Sequence, residues 1–173
     1  MSELLNPQEA FSQFLSSSLQ EAWVHSWTWQ PIKRGSLNPR YSKSHKENSE
    51  GELIQIEVES ADDFRTGIDL EFFMPNRPLF QNPDWLERKF KIPEDTIKSL
   101  TKEELLEEWA YREAAFKALY PFNKGVVLTD FVRTGKHQLA IDQDVDGKET
   151  RFVFDLRGEW QDTWFMALAR RSL

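Results

Sequence analysis

The stretch from Thr101 to Pro121 constrains the fold of this chain more than any other. Thr101-Lys102-Glu103-Glu104 has the pattern of a capping box, in which a threonine and a glutamate three positions later each satisfy a free amide of the first turn. Pro121 ends the run. One long helix is predicted from Thr101 to about Leu119, with Leu105, Trp109, Phe116 and Leu119 on its buried face. A helix of that kind needs an apolar surface to lie on, and the flanking sequence supplies strands.

Before the helix, Trp23, His25, Trp27 and Trp29 alternate with other residues, predicting a half-buried strand over Trp23–Gln30. Glu52–Glu59 and Arg65–Phe72 are two further strands, and Ala61-Asp62-Asp63 between them predicts a hairpin. After the helix, strands are predicted at Val126–Val132, Gln138–Asp142, Arg151–Leu156 and Thr163–Ala169, with a tight turn at Asp146-Gly147. Asn6-Pro7 opens a first helix carrying Phe11, Leu15 and Leu19 at intervals of four. Short helices are predicted from Asn82 to Phe90 and from Pro93 onward, and Pro31–Gly51 is predicted as a long loop. The class is α+β.

With 173 residues the chain has room for one domain or two small halves sharing a core. The 13% aromatic content argues against disorder. There is no cysteine, which excludes disulfides, thiolate metal sites and cysteine nucleophiles. The first residues carry no basic segment or long apolar run, and Trp164–Ala169 is too short to span a bilayer, so the expectation is a cytoplasmic protein without membrane association. A net charge of −7 speaks against a nucleic-acid binder. Against that acidic background, Lys33, Arg34, Arg40, Lys43 and Lys46 cluster between Pro31 and Asn48, a pattern that fits a loop holding an anion and, on composition alone, fits a solvated loop better.

Asp69 and Glu71 stand two apart on a predicted strand and so share a face. Two carboxylates on one face of an apolar strand are costly unless neutralised, and magnesium, which takes one or two carboxylates plus phosphates, is a natural partner. Glu113 and Lys117 stand four apart on one face of the long helix. Alone, the first pair also fits a solvated strand face and the second an ordinary helix ion pair. If the helix crosses the strand, Glu113 becomes a third oxygen ligand and Lys117 lies beside the phosphates, a centre suited to attack on a diphosphate.

Gly67-Ile68-Asp69-Leu70-Glu71 and, further on, Trp109-Ala110-Tyr111-Arg112-Glu113-Ala114-Ala115-Phe116-Lys117-Ala118 resemble the signatures G-[IV]-D-x-E and W-[ST]-x-K-E-A-x-x-K of the 4′-phosphopantetheinyl transferase superfamily. Tyr41-Ser42-Lys43-Ser44-His45 resembles the F-x-x-S-H segment of its surfactin-synthetase-activating type. Arg88-Lys89-Phe90 with Glu94, and the closing Trp164–Ala169, are similar to further segments of that family. The resemblance runs from about Gly35 to the C-terminus.

It implies an α+β fold of antiparallel strands packed on a long helix, with two halves in a pseudo-two-fold arrangement: a single domain over 1–173, divided into a reduced N-terminal half (1–66) and a C-terminal half (67–173) carrying the metal site. It implies transfer of the phosphopantetheine arm of coenzyme A to a serine of an apo acyl or peptidyl carrier protein, with magnesium, releasing adenosine 3′,5′-bisphosphate. Asp69, Glu71 and Glu113 would hold the magnesium. Lys117 would contact phosphate and assist the leaving group. Ser44 and His45, helped by Lys33, Arg34 or Arg40, would bind the 3′-phosphate end of coenzyme A. Glu94 would activate the carrier serine, with Glu113 as the alternative. The enzyme would be a monomer or a homo-oligomer.

The chain departs from the pattern at Arg112, where the family usually has lysine, and in the 66 residues before Gly67, fewer than in the two-halved type and more than in the short holo-acyl-carrier-protein synthases. Phe122–Val126 is similar to the latter. The competing readings are a non-catalytic relative that binds a carrier or coenzyme A, another magnesium-dependent phosphotransferase or diphosphate hydrolase, and an interaction domain working through its Trp-rich strand.

Overall fold

The structure, a computed structural model, describes residues 6–29, 38–77, 80–82, 84, 88 and 94–173. In chain order the elements are α1 (Pro7–Ala10), α2 (Ser12–Gln20), β1 (Val24–Thr28), β2 (Tyr41–Glu47), β3 (Leu53–Ser60), β4 (Phe64–Phe72), α3 (Glu94–Ser99), α4 (Lys102–Leu119), a single 3-10 turn (Leu128–Asp130), β5 (Val132–Gly135), β6 (Gln138–Val145), β7 (Lys148–Gln161) and β8 (Trp164–Ser172). The strands form two antiparallel sheets, a small one ordered β1-β3-β2 and a large one ordered β4-β8-β7-β6-β5. The class is α+β.

α4 has the boundaries its sequence dictates. The Thr101 hydroxyl accepts the Glu104 amide at 3.1 Å and the Glu104 carboxylate accepts the Thr101 amide at 2.7 Å, completing the capping box. The helix lies on β4 and β8 through small residues. Ala110, Ala114, Ala115 and Ala118 meet Ala167 and Ala169 in a core that continues to Phe131, Leu139 and Phe154. The opposite face of β4 and β8, with Ile68, Leu70, Phe72, Trp164, Met166 and Leu168, is covered by Phe11, Phe14 and Leu15 of the N-terminal helices and by Val24, Ile56 and Val58 of the small sheet. β4 is therefore buried on both faces, Ile68, Leu70 and Phe72 on one and Gly67, Asp69 and Glu71 on the other.

Four expectations are corrected. Pro31–Gly51 is not all loop, because Tyr41–Glu47 forms β2, with Ser42 and Ser44 buried on one face and Tyr41, Lys43 and His45 exposed on the other. β3 and β4 do not form a hairpin. They follow one another but belong to different sheets, β3 lying between β1 and β2 and β4 pairing with β8. Val126–Val132 is not one strand, because the Asp130 carboxylate accepts the Val127 amide at 2.9 Å and closes a local turn before β5. The buried face of the N-terminal helix uses Phe14 and Ser18 with Phe11 and Leu15, while Leu19 is 45% exposed. The turn at Asp146-Gly147 joins β6 to β7 with both residues at positive φ, 55° and 78°. The helix predicted over Asn82–Phe90 falls largely outside the described residues.

Candidate active site

The site is built where α4 crosses β4. Gly67 makes the crossing possible: a Cβ there would lie 1.9 Å from the Ala114 carbonyl oxygen and 2.8 Å from the Ala118 amide nitrogen. Only a residue without a side chain allows the helix backbone this close. Gly67, Asp69 and Glu71 alternate on one face of the strand, so the close approach at Gly67 sets Asp69 and Glu71 beside the same helix. Lys117, between Ala114 and Ala118 and the next turn, reaches back to the strand, and its Nζ donates to the Ile68 carbonyl at 2.9 Å and to Asp69 Oδ1 at 3.0 Å.

β4 is an edge strand of the large sheet, and its outward backbone amides need partners. β2 provides them with side chains instead of backbone. Ser42 Oγ accepts the Ile68 amide at 3.1 Å and Ser44 Oγ accepts the Leu70 amide at 2.9 Å. Ser60 Oγ accepts the Thr66 amide at 2.9 Å. The step of two residues is the same on both strands, so β2 runs parallel to β4. The next residue on that face of β2, Lys46, meets Glu71. Its Nζ lies 3.0 Å from Oε1 and 2.9 Å from Oε2.

The three carboxylates have different surroundings. Asp69 is 5% exposed, and its Oδ1 accepts hydrogen bonds from Ser44 at 3.1 Å and from Lys117. Its Oδ2 is buried without a partner. Burial raises the Asp69 carboxyl to about 7, with Lys117 opposing the rise and Glu71 and Glu113 adding to it. Glu71 is 1% exposed and fully engaged, with Arg77 donating to Oε2 at 2.7 Å beside Lys46. Glu113 is raised by burial, against the pull of Lys117, and makes no hydrogen bond or ion pair among the described residues. It also lines a cleft of about 740 Å³, with Trp109, Phe116, Val126, Leu128 and Arg88 around it. A mostly apolar cleft with one half-buried carboxylate on its wall is a common form of ligand site.

The expected residues thus divide. Asp69, Glu71, Glu113 and Lys117 come together. Ser44 joins them, but as the link between Asp69 and the Leu70 amide, while His45 is exposed on the opposite face of β2. Arg40 pairs with Asp62 at 2.9 Å and Glu59 at 3.2 Å, at the far end of β2 from Lys46. Lys33 and Arg34 lie outside the described residues, and of Glu94 only the backbone, at the start of α3, is described. Two residues join the site as partners of Glu71, a role the sequence did not assign them: Lys46, one of the basic residues expected to hold an anion, and Arg77. Lys46 was legible in principle, since Ser42, Ser44 and Lys46 keep a period of two.

A magnesium ion fits the donor chemistry. The oxygens are hard, and among the described residues Asp69 Oδ2 has no hydrogen-bond partner and Glu113 makes no hydrogen bond or ion pair. Glu71 is less free to ligate, because both of its oxygens hold cations. Among the described residues, no group of three or more acidic, histidine or cysteine side chains is placed to hold a metal ion between them. An open site completed by ligand oxygens is what this arrangement offers. No helix among the described residues is long and apolar enough to cross a membrane.

Compared with known proteins, the chain matches no family model, and no curated protein matches its sequence.

Proposed function

We propose that this protein is a 4′-phosphopantetheinyl transferase, moving the phosphopantetheine arm of coenzyme A to a carrier-protein serine. One observation carries the reading: a buried aspartate, Asp69, has one oxygen held by Ser44 and Lys117 and the other without a hydrogen-bond partner among the described residues. A buried carboxylate oxygen left in that state calls for a cation. The resemblance of the Gly67–Glu71 and Trp109–Ala118 segments supplies the reaction, and with it a pseudo-two-fold fold of two halves.

In this reading Asp69 and Glu113 hold a magnesium ion, with Glu71 beside them. The bound ion would supply neutralisation of the diphosphate oxygens. Lys117 orients Asp69 and presents its ammonium to the oxygen that departs. The serine oxygen of the carrier bonds to the β-phosphorus, the bond from that phosphorus to the bridging oxygen breaks, and adenosine 3′,5′-bisphosphate leaves with the electron pair. The serine proton passes to a carboxylate, for which Glu94 and Glu113 are the two candidates. Glu113 is supported by its place on the cleft wall and by burial that raises its carboxyl above the ordinary value, the direction that strengthens a proton acceptor. Positioning supplies most of the acceleration.

The test is chromatography of the nucleotide product after incubation with coenzyme A and magnesium, with and without an apo carrier protein. Release of adenosine 3′,5′-bisphosphate only with the carrier supports transfer. Release without it points to a diphosphate hydrolase using the same carboxylates. No release under either condition removes the reading.

A further inference from the structure

Glu71 carries one negative charge and is met by two positive ones. Lys46 contacts both of its oxygens and Arg77 adds a 2.7 Å hydrogen bond to Oε2. One cation would neutralise a buried carboxylate, so the second is a surplus at this point of the site. Neither side chain is sealed in, since Lys46 is 26% and Arg77 21% exposed while Glu71 is 2% exposed by side chain. The two cations come from separate elements, the end of β2 and the turn after β4, and Glu71 is the group that holds them together. Lys46 is also close enough to Glu113, which lines the cleft, to act on its charge.

We propose that Lys46 and Arg77, organised by Glu71, form a subsite for the diphosphate oxygens of the nucleotide substrate, with Glu71 acting as their positioning residue. The proposal rests on the transferase reading and adds two residues to its substrate site. Arg77 brings a planar fork suited to phosphate oxygens, and Lys46 a compact charge on the neighbouring strand. Glu71 contributes by fixing both beside its own carboxylate before substrate arrives, which lowers the ordering cost of binding.

Calorimetry with magnesium present, using coenzyme A and adenosine 3′,5′-bisphosphate as probes, separates this role from a merely structural one. The two share the nucleoside and the 3′-phosphate, and only coenzyme A carries the diphosphate. Lys46→Met and Arg77→Met are each expected to weaken coenzyme A about tenfold, the scale of one lost charged hydrogen bond, and to leave the bisphosphate within about twofold. If either variant unfolds because Glu71 is left under-neutralised, the Glu71→Gln/Lys46→Met and Glu71→Gln/Arg77→Met pairs, compared with Glu71→Gln alone, carry the same test. Equal affinities in folded variants and wild type overturn the subsite and leave the transferase reading standing. Loss of affinity in the variants, with no transfer to any carrier by the wild type, upholds the subsite while the transferase reading falls. A wild-type protein that binds no coenzyme A overturns both.

Discussion

Gly67 lies so close beneath Ala114 that a methyl group at Gly67 would reach to 1.9 Å from the Ala114 carbonyl oxygen. That contact is backbone, so the neighbour cannot rotate away. Gly67→Ala is expected to destabilise the chain by about 3 kcal/mol, the range of overpacked core positions. It would also lift α4 from β4 and separate Lys117 from Asp69. Urea unfolding measures the first effect. The second would appear as loss of coenzyme A affinity in protein that is still folded.

The serine pair on β2 leads to a second prediction. Ser42→Ala and Ser44→Ala each leave a buried β4 amide, at Ile68 or Leu70, without an acceptor. Each is expected to cost about 1–3 kcal/mol. Amide hydrogen exchange should localise the damage, with Ile68 exchanging faster in the first variant and Leu70 in the second. His45→Ala, on the exposed face of the same strand, should change stability by less than about 0.5 kcal/mol. Equal effects at Ser44 and His45 would contradict the facing of β2.

Asp69 gives the pH dependence. Its carboxyl titrates at about 7 when folded and near 3.8 when unfolded. Between those values the folded chain binds more protons, so stability contributed by this group is full below the unfolded value and is lost as pH rises to about 7. Urea midpoints between pH 4.5 and 7.5 should therefore fall more steeply for the wild type than for Asp69→Asn, and parallel slopes would refute the assignment. A cation that competes with the proton should stabilise the wild type more at pH 8 than at pH 6.

Much of this was legible in the sequence, for physical reasons that differ by segment. α4 announced itself through local chemistry, because a capping box and a proline act within a few residues of the ends they set. The Asp146-Gly147 turn was equally local. β4 was readable because Ile68, Leu70 and Phe72 alternate with Asp69 and Glu71, a period of two that puts both carboxylates on one face. β2 was not. Ser42, Ser44 and Lys46 have little strand propensity and are held there by bonds to β4 and Glu71, more than twenty residues away in sequence. The same distant bonds explain why β3 and β4 part instead of pairing, since side chains of β2 and Ser60 occupy the β4 edge that a hairpin partner would take. Arg77 could not be assigned to Glu71 from spacing, because a turn separates them.

The central claim, that Asp69, Glu113 and Lys117 form a magnesium-dependent centre for phosphopantetheine transfer, is tested most directly on the acceptor. Intact-mass spectrometry of an apo acyl carrier protein, after incubation with coenzyme A, magnesium and this protein, reads the transferred group itself. The account predicts a gain of one phosphopantetheine that disappears with chelator and in Asp69→Asn, and falls at least about a hundredfold in rate in Lys117→Ala, the scale of a lost electrostatic contact to a developing charge. A carrier modified equally well by Asp69→Asn, or unmodified by folded wild-type protein across several unrelated carriers, would contradict it.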